Sequence, residues 1–143
     1  MKYLLIILAF VLCLPALAQS HGPKESKLSA AFAHSAFIAV KRAENCSVDA
    51  VYDESGTNYD SVFSSQCLAP IDSAEADAVT ADELDVIATL RAFTKAHVYN
   101  RFVILHKLRD VGEVTAKEKA CSDAIESGLR ARTWTHPAAC PSK

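Results

Sequence analysis

The sequence predicts an all-α fold: a small helical bundle, stapled by disulfides, around one long central helix. Three observations predict it. Between Thr80 and Gly112 the chain has no proline and no internal glycine, and it opens on Thr80-Ala-Asp-Glu83, a capping-box pattern. Hydrophobic residues make up 50% of the chain, alanine is prominent among them, and runs of alternating β-branched residues are absent. That balance favours helix over strand. Of five cysteines, four (Cys46, Cys67, Cys121 and Cys140) follow the N-terminal apolar run.

The N-terminus has the pattern of a secretory signal. Lys2 is its basic region, Leu4 to Leu14 its apolar core, and Ala16-Leu17-Ala18 a small-x-small cleavage pattern before Gln19. The chain therefore divides into a signal peptide, residues 1–18, and a single helical domain, residues 19–143, secreted or periplasmic. The apolar run is too short to span a bilayer. Leu12 stands before Cys13, where lipid attachment needs a small residue, so Cys13 is expected to leave with the signal.

Four cysteines in a short exported chain imply two disulfides, and three connectivities are open. With no Cys-x-x-Cys, neither a metal site nor a cofactor is expected. A formal net charge of −2 lacks the concentrated basic face that nucleic acid requires. A chain of this length builds one modest core, so each bridge matters, at a few kcal/mol by order of magnitude.

In chain order, Ser26 to Asn45 reads as the first helix, with Leu28, Phe32, Ala36, Ala39 and Ala43 at helical spacing. Val40 widens that stripe, and Phe37 and Ile38 are expected to be covered on a second face. Cys46 continues the stripe at the helix end. Asp49 to Asn58 is rich in turn residues, with Tyr52 and Tyr59 as candidate packing partners. It fails as a calcium loop, because Gly56 in the sixth position would make Val51 the first ligand. A short helical piece from Asp60 to Gln66 delivers Cys67, and Pro70 is expected to end it. Asp72 to Asp85 holds acids and no base. It reads as a solvated linker leading to the acids at the start of the long helix, or as a surface for a basic partner, with Asp72, Glu75 and Asp77 as its residues.

The long helix is expected to close at Gly112, a residue suited to the left-handed turn after a helix. Thr115-Ala-Lys-Glu118 is a second capping box, and Cys121, Ala124, Ile125 and Leu129 form the stripe of the last helix, weakened by Gly128. The tail from Thr133 is too proline-rich for helix. Cys140 is expected to pin it, Trp134 to cap the core edge, and His136 to be exposed.

At about 100° per residue, Val86, Ile87, Leu90, Phe93, Val98, Ile104, Leu105 and Leu108 fill one broad side of the long helix. Thr94, His97 and Arg101 fall in the same arc. Polar groups in an apolar stripe are costly unless paired. Three arrangements follow. Arg101 pairs with an acid from another segment and His97 bonds a carbonyl, or the helix breaks and turns them to solvent, or they line a pocket for an anionic ligand or a partner's carboxylate. His34 and His106 lie off the stripes. There is no His-x-x-x-His pair, no Gly-x-Ser-x-Gly elbow and no glycine-rich phosphate loop.

Two family resemblances can be stated on residues. Cys46-Ser47, Asp60, Phe63 and Cys67 resemble the first cysteine-containing segment of small secreted phospholipases. That family places a His-Asp pair after the second cysteine, where this chain has Leu68-Ala69-Pro70-Ile71, so its catalytic pair does not transfer. Cys67-Leu-Ala-Pro70 and Val79-Thr80, with Leu84, Val86 and Ile87, resemble small exported helical immunity proteins, which implies partner binding. The expected function is accordingly an exported protein-binding protein without catalytic activity (an inhibitor, immunity factor or assembly accessory) whose partner is another exported or envelope protein. The alternative is a small secreted hydrolase or lipid-binding module using a His97/Arg101 pocket.

Overall fold

The computed structural model describes residues 26–46, 63–105 and 110–142, of which 26, 64 and 102–105 by backbone alone. The elements are β1 (Ser26–Lys27), α1 (Ala30–Glu44), a π-helix (Phe63–Leu68) running straight into α2 (Ala69–Glu75), α3 (Ala81–Leu105), α4 (Val111–Ala131) and β2 (Thr133–Trp134). The predicted signal peptide, turn-rich segment, His106 and Leu108 lie outside the described residues, as do the side chains of Ile104 and Leu105. The predicted helical bundle is what forms. Its only pairing of strands among the described residues is the two-residue antiparallel match of Ser26 to Trp134 and Lys27 to Thr133.

The core is built where α1 meets α2, α3 and α4. Leu28, Phe32, Ala36, Ala39, Val40 and Ala43 are buried with Ile71 and Ala74 of α2, Val86, Ile87, Leu90 and Phe93 of α3, and Cys121, Ile125 and Leu129 of α4. The alanines on α1 let three elements approach one helix closely. Phe37 lies partly buried under the cations of Lys41 and Arg130. Ile38, expected to be covered, stays 46% exposed.

Three boundaries differ from expectation, each for a local reason. α1 begins after Ser29, whose hydroxyl accepts from the Phe32 N–H at 3.2 Å, while Ser26 and Lys27 pair with β2 instead. Pro70 does not end a helix. It sits in the first turn of α2, where its missing N–H leaves no intrahelical bond unmade, so the expected linker is helical as far as Glu75. Gly112 does not close the long helix either. It is the second residue of α4, whose N-cap is Asp110, accepting from the Glu113 N–H at 3.0 Å. Thr115 is therefore inside α4, and the second capping box is not used.

Both disulfides form, between Cys46 and Cys67 and between Cys121 and Cys140, with Cα atoms 5.5 Å and 4.7 Å apart. The first ties the end of α1 to the π-helix and, with Phe63 and Val98, makes a small second cluster. The second ties the tail to α4. The tail is also fastened by Trp134, whose Nε1 donates to Asp85 Oδ2 at 2.7 Å. His136 is exposed, as expected, and its Nδ1 lies 3.1 Å from the buried Thr89 hydroxyl.

The end of α4 is set by Arg132, at φ 58° and ψ 32°, the left-handed region that costs a non-glycine residue on the order of 1 kcal/mol. Its surroundings hold it there. Its Nε donates to the Leu28 carbonyl at 3.0 Å, and the Leu28 N–H donates to its carbonyl at 2.8 Å. The chain turned back by Arg132 runs close over Gly128, where a Cβ would meet the Thr133 carbonyl oxygen at 3.0 Å.

The start of α3 is fixed by a buried carboxylate. Glu83 is 1% exposed. Its Oε2 accepts the N–H groups of Val79 and Thr80 at 2.9 and 3.0 Å, and its Oε1 accepts the Ser29 N–H at 2.8 Å. The Thr80 hydroxyl accepts from the Glu83 N–H at 3.2 Å, completing the predicted capping box. Burial by itself would raise the carboxyl's pKa. The N–H groups of Ser29, Val79 and Thr80 outweigh it and hold it at about 2, below the ordinary 4.5.

Two outcomes are expected. A folded pKa below the unfolded one gives stability that is complete above pH 4.5 and lost as pH falls from there toward 2, about 3 kcal/mol from this group. Glu83→Gln should remove that amount at neutral pH and flatten the acid limb of a pH-melting curve, because an amide places an N–H against an N–H. Gly128→Ala, which would normally gain about 1 kcal/mol in a helix, should instead lower the melting temperature by about 3–5 °C in a thermal scan, because the Thr133 backbone stands in its way.

Candidate functional site

α3 and α4 bring together the polar residues of the apolar stripe. The His97 Nδ1 lies 3.0 Å from Glu118 Oε2, the Arg101 Nη2 donates to the same oxygen at 2.8 Å, and the Asn100 Nδ2 donates to Glu118 Oε1 at 3.0 Å. His97 is 6% exposed and Glu118 9% exposed. The His97 ring stands against Phe93, with centroids 6.0 Å apart. Burial disfavours a charged Glu118, but the hydrogen bonds of His97 and Asn100 and the charges of His97 and Arg101 outweigh it and lower its pKa. α3 runs through His97 unbroken, so the arrangement in which the helix breaks there does not occur. His97 bonds a carboxylate rather than a carbonyl, and it shares that carboxylate with Arg101.

Thr94 is not part of this network. Its hydroxyl donates to the Leu90 carbonyl at 2.7 Å and the side chain is fully buried. Beside the network a cleft of about 360 Å³ opens between α1, α3 and α4, lined by His97, Arg101, Glu118, Phe93 and Ser122 among others. Ser122 is 6% exposed and its hydroxyl makes no hydrogen bond among the described residues.

The acidic residues lie elsewhere. The Arg91 Nη2 bridges Asp72 Oδ1 and Glu75 Oε2 at 2.8 and 2.5 Å, and Asp77 Oδ2 accepts from the Ser35 hydroxyl at 2.5 Å. The three acids expected to face a partner thus have partners within the chain. Exposed pairs of this kind contribute only about 0–1 kcal/mol, so a partner's cation can compete with Arg91. Just beyond them Val79 is 86% exposed and Leu84 49% exposed. They occupy the positions on either side of the capping box where a hydrophobic staple forms.

Sequence reasoning missed Glu118, Ser122, Asn100 and Arg91. One signal was available. The stripe Cys121, Ile125, Leu129, carried back by helical spacing, arrives at Glu118 and Val114, both buried. Among the described residues no group of His, Cys, Asp and Glu could hold a metal ion, and no helix is long and apolar enough to cross a membrane. No protein-family model, curated protein or solved structure matches the chain.

One buried carboxylate holding an imidazole, a guanidinium and an amide makes a prediction. Glu118→Ala leaves His97 and Arg101 unpaired, and it should cost about 3 kcal/mol at neutral pH. Because the Glu118 pKa is lowered by folding, its contribution is present above the ordinary carboxylate range and fades as pH falls through it. Chemical denaturation of wild type and variant should therefore converge in acid.

Proposed function

We propose that the chain is an exported, non-catalytic protein-binding domain that meets its partner at the corner where α2 leads into α3. The observation that carries this is the exposure of Val79 at 86% and Leu84 at 49%, in a stretch of chain that also carries Asp72, Glu75, Asp77 and Asp82. An apolar centre with a charged rim is the anatomy of an interface between proteins. The acids select a partner with lysine or arginine around an apolar socket and speed its approach. Two disulfides support export, since such bridges persist in oxidising compartments. The partner is then another exported or envelope protein, and the chain an inhibitor, immunity factor or assembly accessory to it.

The paired substitution Val79→Ser/Leu84→Ser tests the reading. Both side chains are exposed, and the Val79 N–H that Glu83 accepts is backbone. The variant should melt within about 2 °C of wild type, as surface substitutions do. Tagged wild-type domain incubated with its own cell-envelope fraction should retain a protein that the variant and a Asp72→Lys/Asp77→Lys variant do not. Equal retention by all three removes the corner from consideration, and no retention by wild type removes the function.

A further inference from the structure

We propose that the cleft between α1, α3 and α4 is a binding site for a small carboxylate, held by Arg101, His97 and Ser122. This is independent of the protein-binding corner, which lies about four turns away along α3, on the order of 20 Å.

The case begins with hydrogen-bonding capacity that the fold does not use. His97 and Ser122 are each 6% exposed. His97 uses Nδ1 on Glu118, and neither its Nε2 nor the Ser122 hydroxyl has a partner among the described residues. No side-chain nitrogen or oxygen described is at once sealed from solvent and unpartnered. Both groups line the cleft, so the cleft is where they meet solvent. Solvent satisfies both groups there, so a ligand that bonds both takes the place of that water.

The remaining capacity is for an anion. Arg101 commits Nη2 to Glu118, which leaves its other N–H groups at the cleft. The acids around the cleft are already engaged. Glu118 accepts three donors, Lys41 holds Glu44 and Glu126, and Lys119 holds Asp123. A carboxylate presents two oxygens in one plane, the shape a guanidinium recognises. One oxygen meets Arg101 and the other meets the Ser122 hydroxyl and His97. Phe93 lines the same cleft and gives the ligand's carbon body an apolar wall. A volume of about 360 Å³ suits a small acid.

The proton balance follows from the geometry. Nδ1 faces the Glu118 carboxylate, so it carries the hydrogen, and in the neutral ring Nε2 is a lone pair. A ligand oxygen can bond Nε2 only when Nε2 is protonated. Binding therefore takes one proton from solvent onto Nε2, and the imidazolium sits between Glu118 and the ligand. The charged groups facing it are Glu118, Lys119, Asp123 and Glu126 of α4, Arg101 of α3, and Lys41 and Glu44 of α1. Affinity should therefore fall as pH rises.

The test titrates the uniformly ¹⁵N-labelled chain with sodium acetate and follows the His97 ring and Ser122 amide by NMR. Sodium chloride at equal ionic strength and inorganic phosphate are the comparisons. Saturable shifts with acetate, absent with chloride and weakening severalfold as pH rises, are expected. Ser122→Ala should keep its melting temperature, since that hydroxyl holds nothing in the fold, and should lose acetate severalfold. Arg101→Lys, which keeps a charge for Glu118, should lose it as well. Shifts that grow linearly, equal shifts with chloride, a pH-independent constant or unchanged binding in both variants overturn the site. Tighter binding of phosphate than of acetate overturns the carboxylate assignment.

Discussion

A single carboxylate determines how the bundle starts. Glu83 accepts N–H groups from Ser29, at the head of α1, and from Val79 and Thr80, at the head of α3. Helix starts leave N–H groups without intrahelical partners. Here donors from two such starts converge on one side chain, 54 residues apart in sequence for the Ser29 bond. The two helix heads are thereby held at one corner, and the faces they carry, Phe32 and Ala36 on one and Val86, Ile87 and Leu90 on the other, meet in register. The hydrophobic burial that follows is the larger energy. The carboxylate decides which packing receives it.

The return of the chain closes the same corner. Arg132 turns α4 back and bonds the backbone of Leu28, the Trp134 indole reaches Asp85, and His136 reaches Thr89. β1 and β2 pair there because both flank this junction. The opposite end of the bundle is organised differently, by ions rather than by backbone. Glu118 gathers His97, Asn100 and Arg101 where the apolar stripe of α3 would otherwise be interrupted. A buried ionic group of this kind is weak support for stability. It fixes the register of α4 against α3, and it leaves one face of the imidazole to the cleft.

What could be read in the sequence was what local chemistry and periodicity control. Thr80 and Glu83 announced the head of α3, and the spacing of Phe32, Ala36, Ala39 and Ala43 announced the buried face of α1. The oddity of His97 and Arg101 in an apolar arc was visible, but their partner was not, since Glu118 had a competing local explanation as a capping residue. The same competition hid the start of α4: Asp110 and Glu113 have the spacing of a cap, but Gly112 between them looked like a terminus. Pro70 misled for a related reason, since proline stops a helix or begins one according to what precedes it. The ion pairs of Arg91 and the reach of Ser29 to Glu83 are tertiary, and no pattern within one segment encodes them.

Each bridge joins two cysteines with no other between them, Cys46 to Cys67 and Cys121 to Cys140, 21 and 19 residues apart in sequence. The loops they enclose neither interlock nor nest. If residues 1–18 leave with Cys13 and the remaining thiols oxidise in the order in which a chain emerges, N-terminus first, the pair closed by proximity is already the correct pair, in both cases. Such a molecule has little need of an isomerase to reshuffle its sulfurs, and one loop can be opened by reduction while the other keeps its half of the structure tethered.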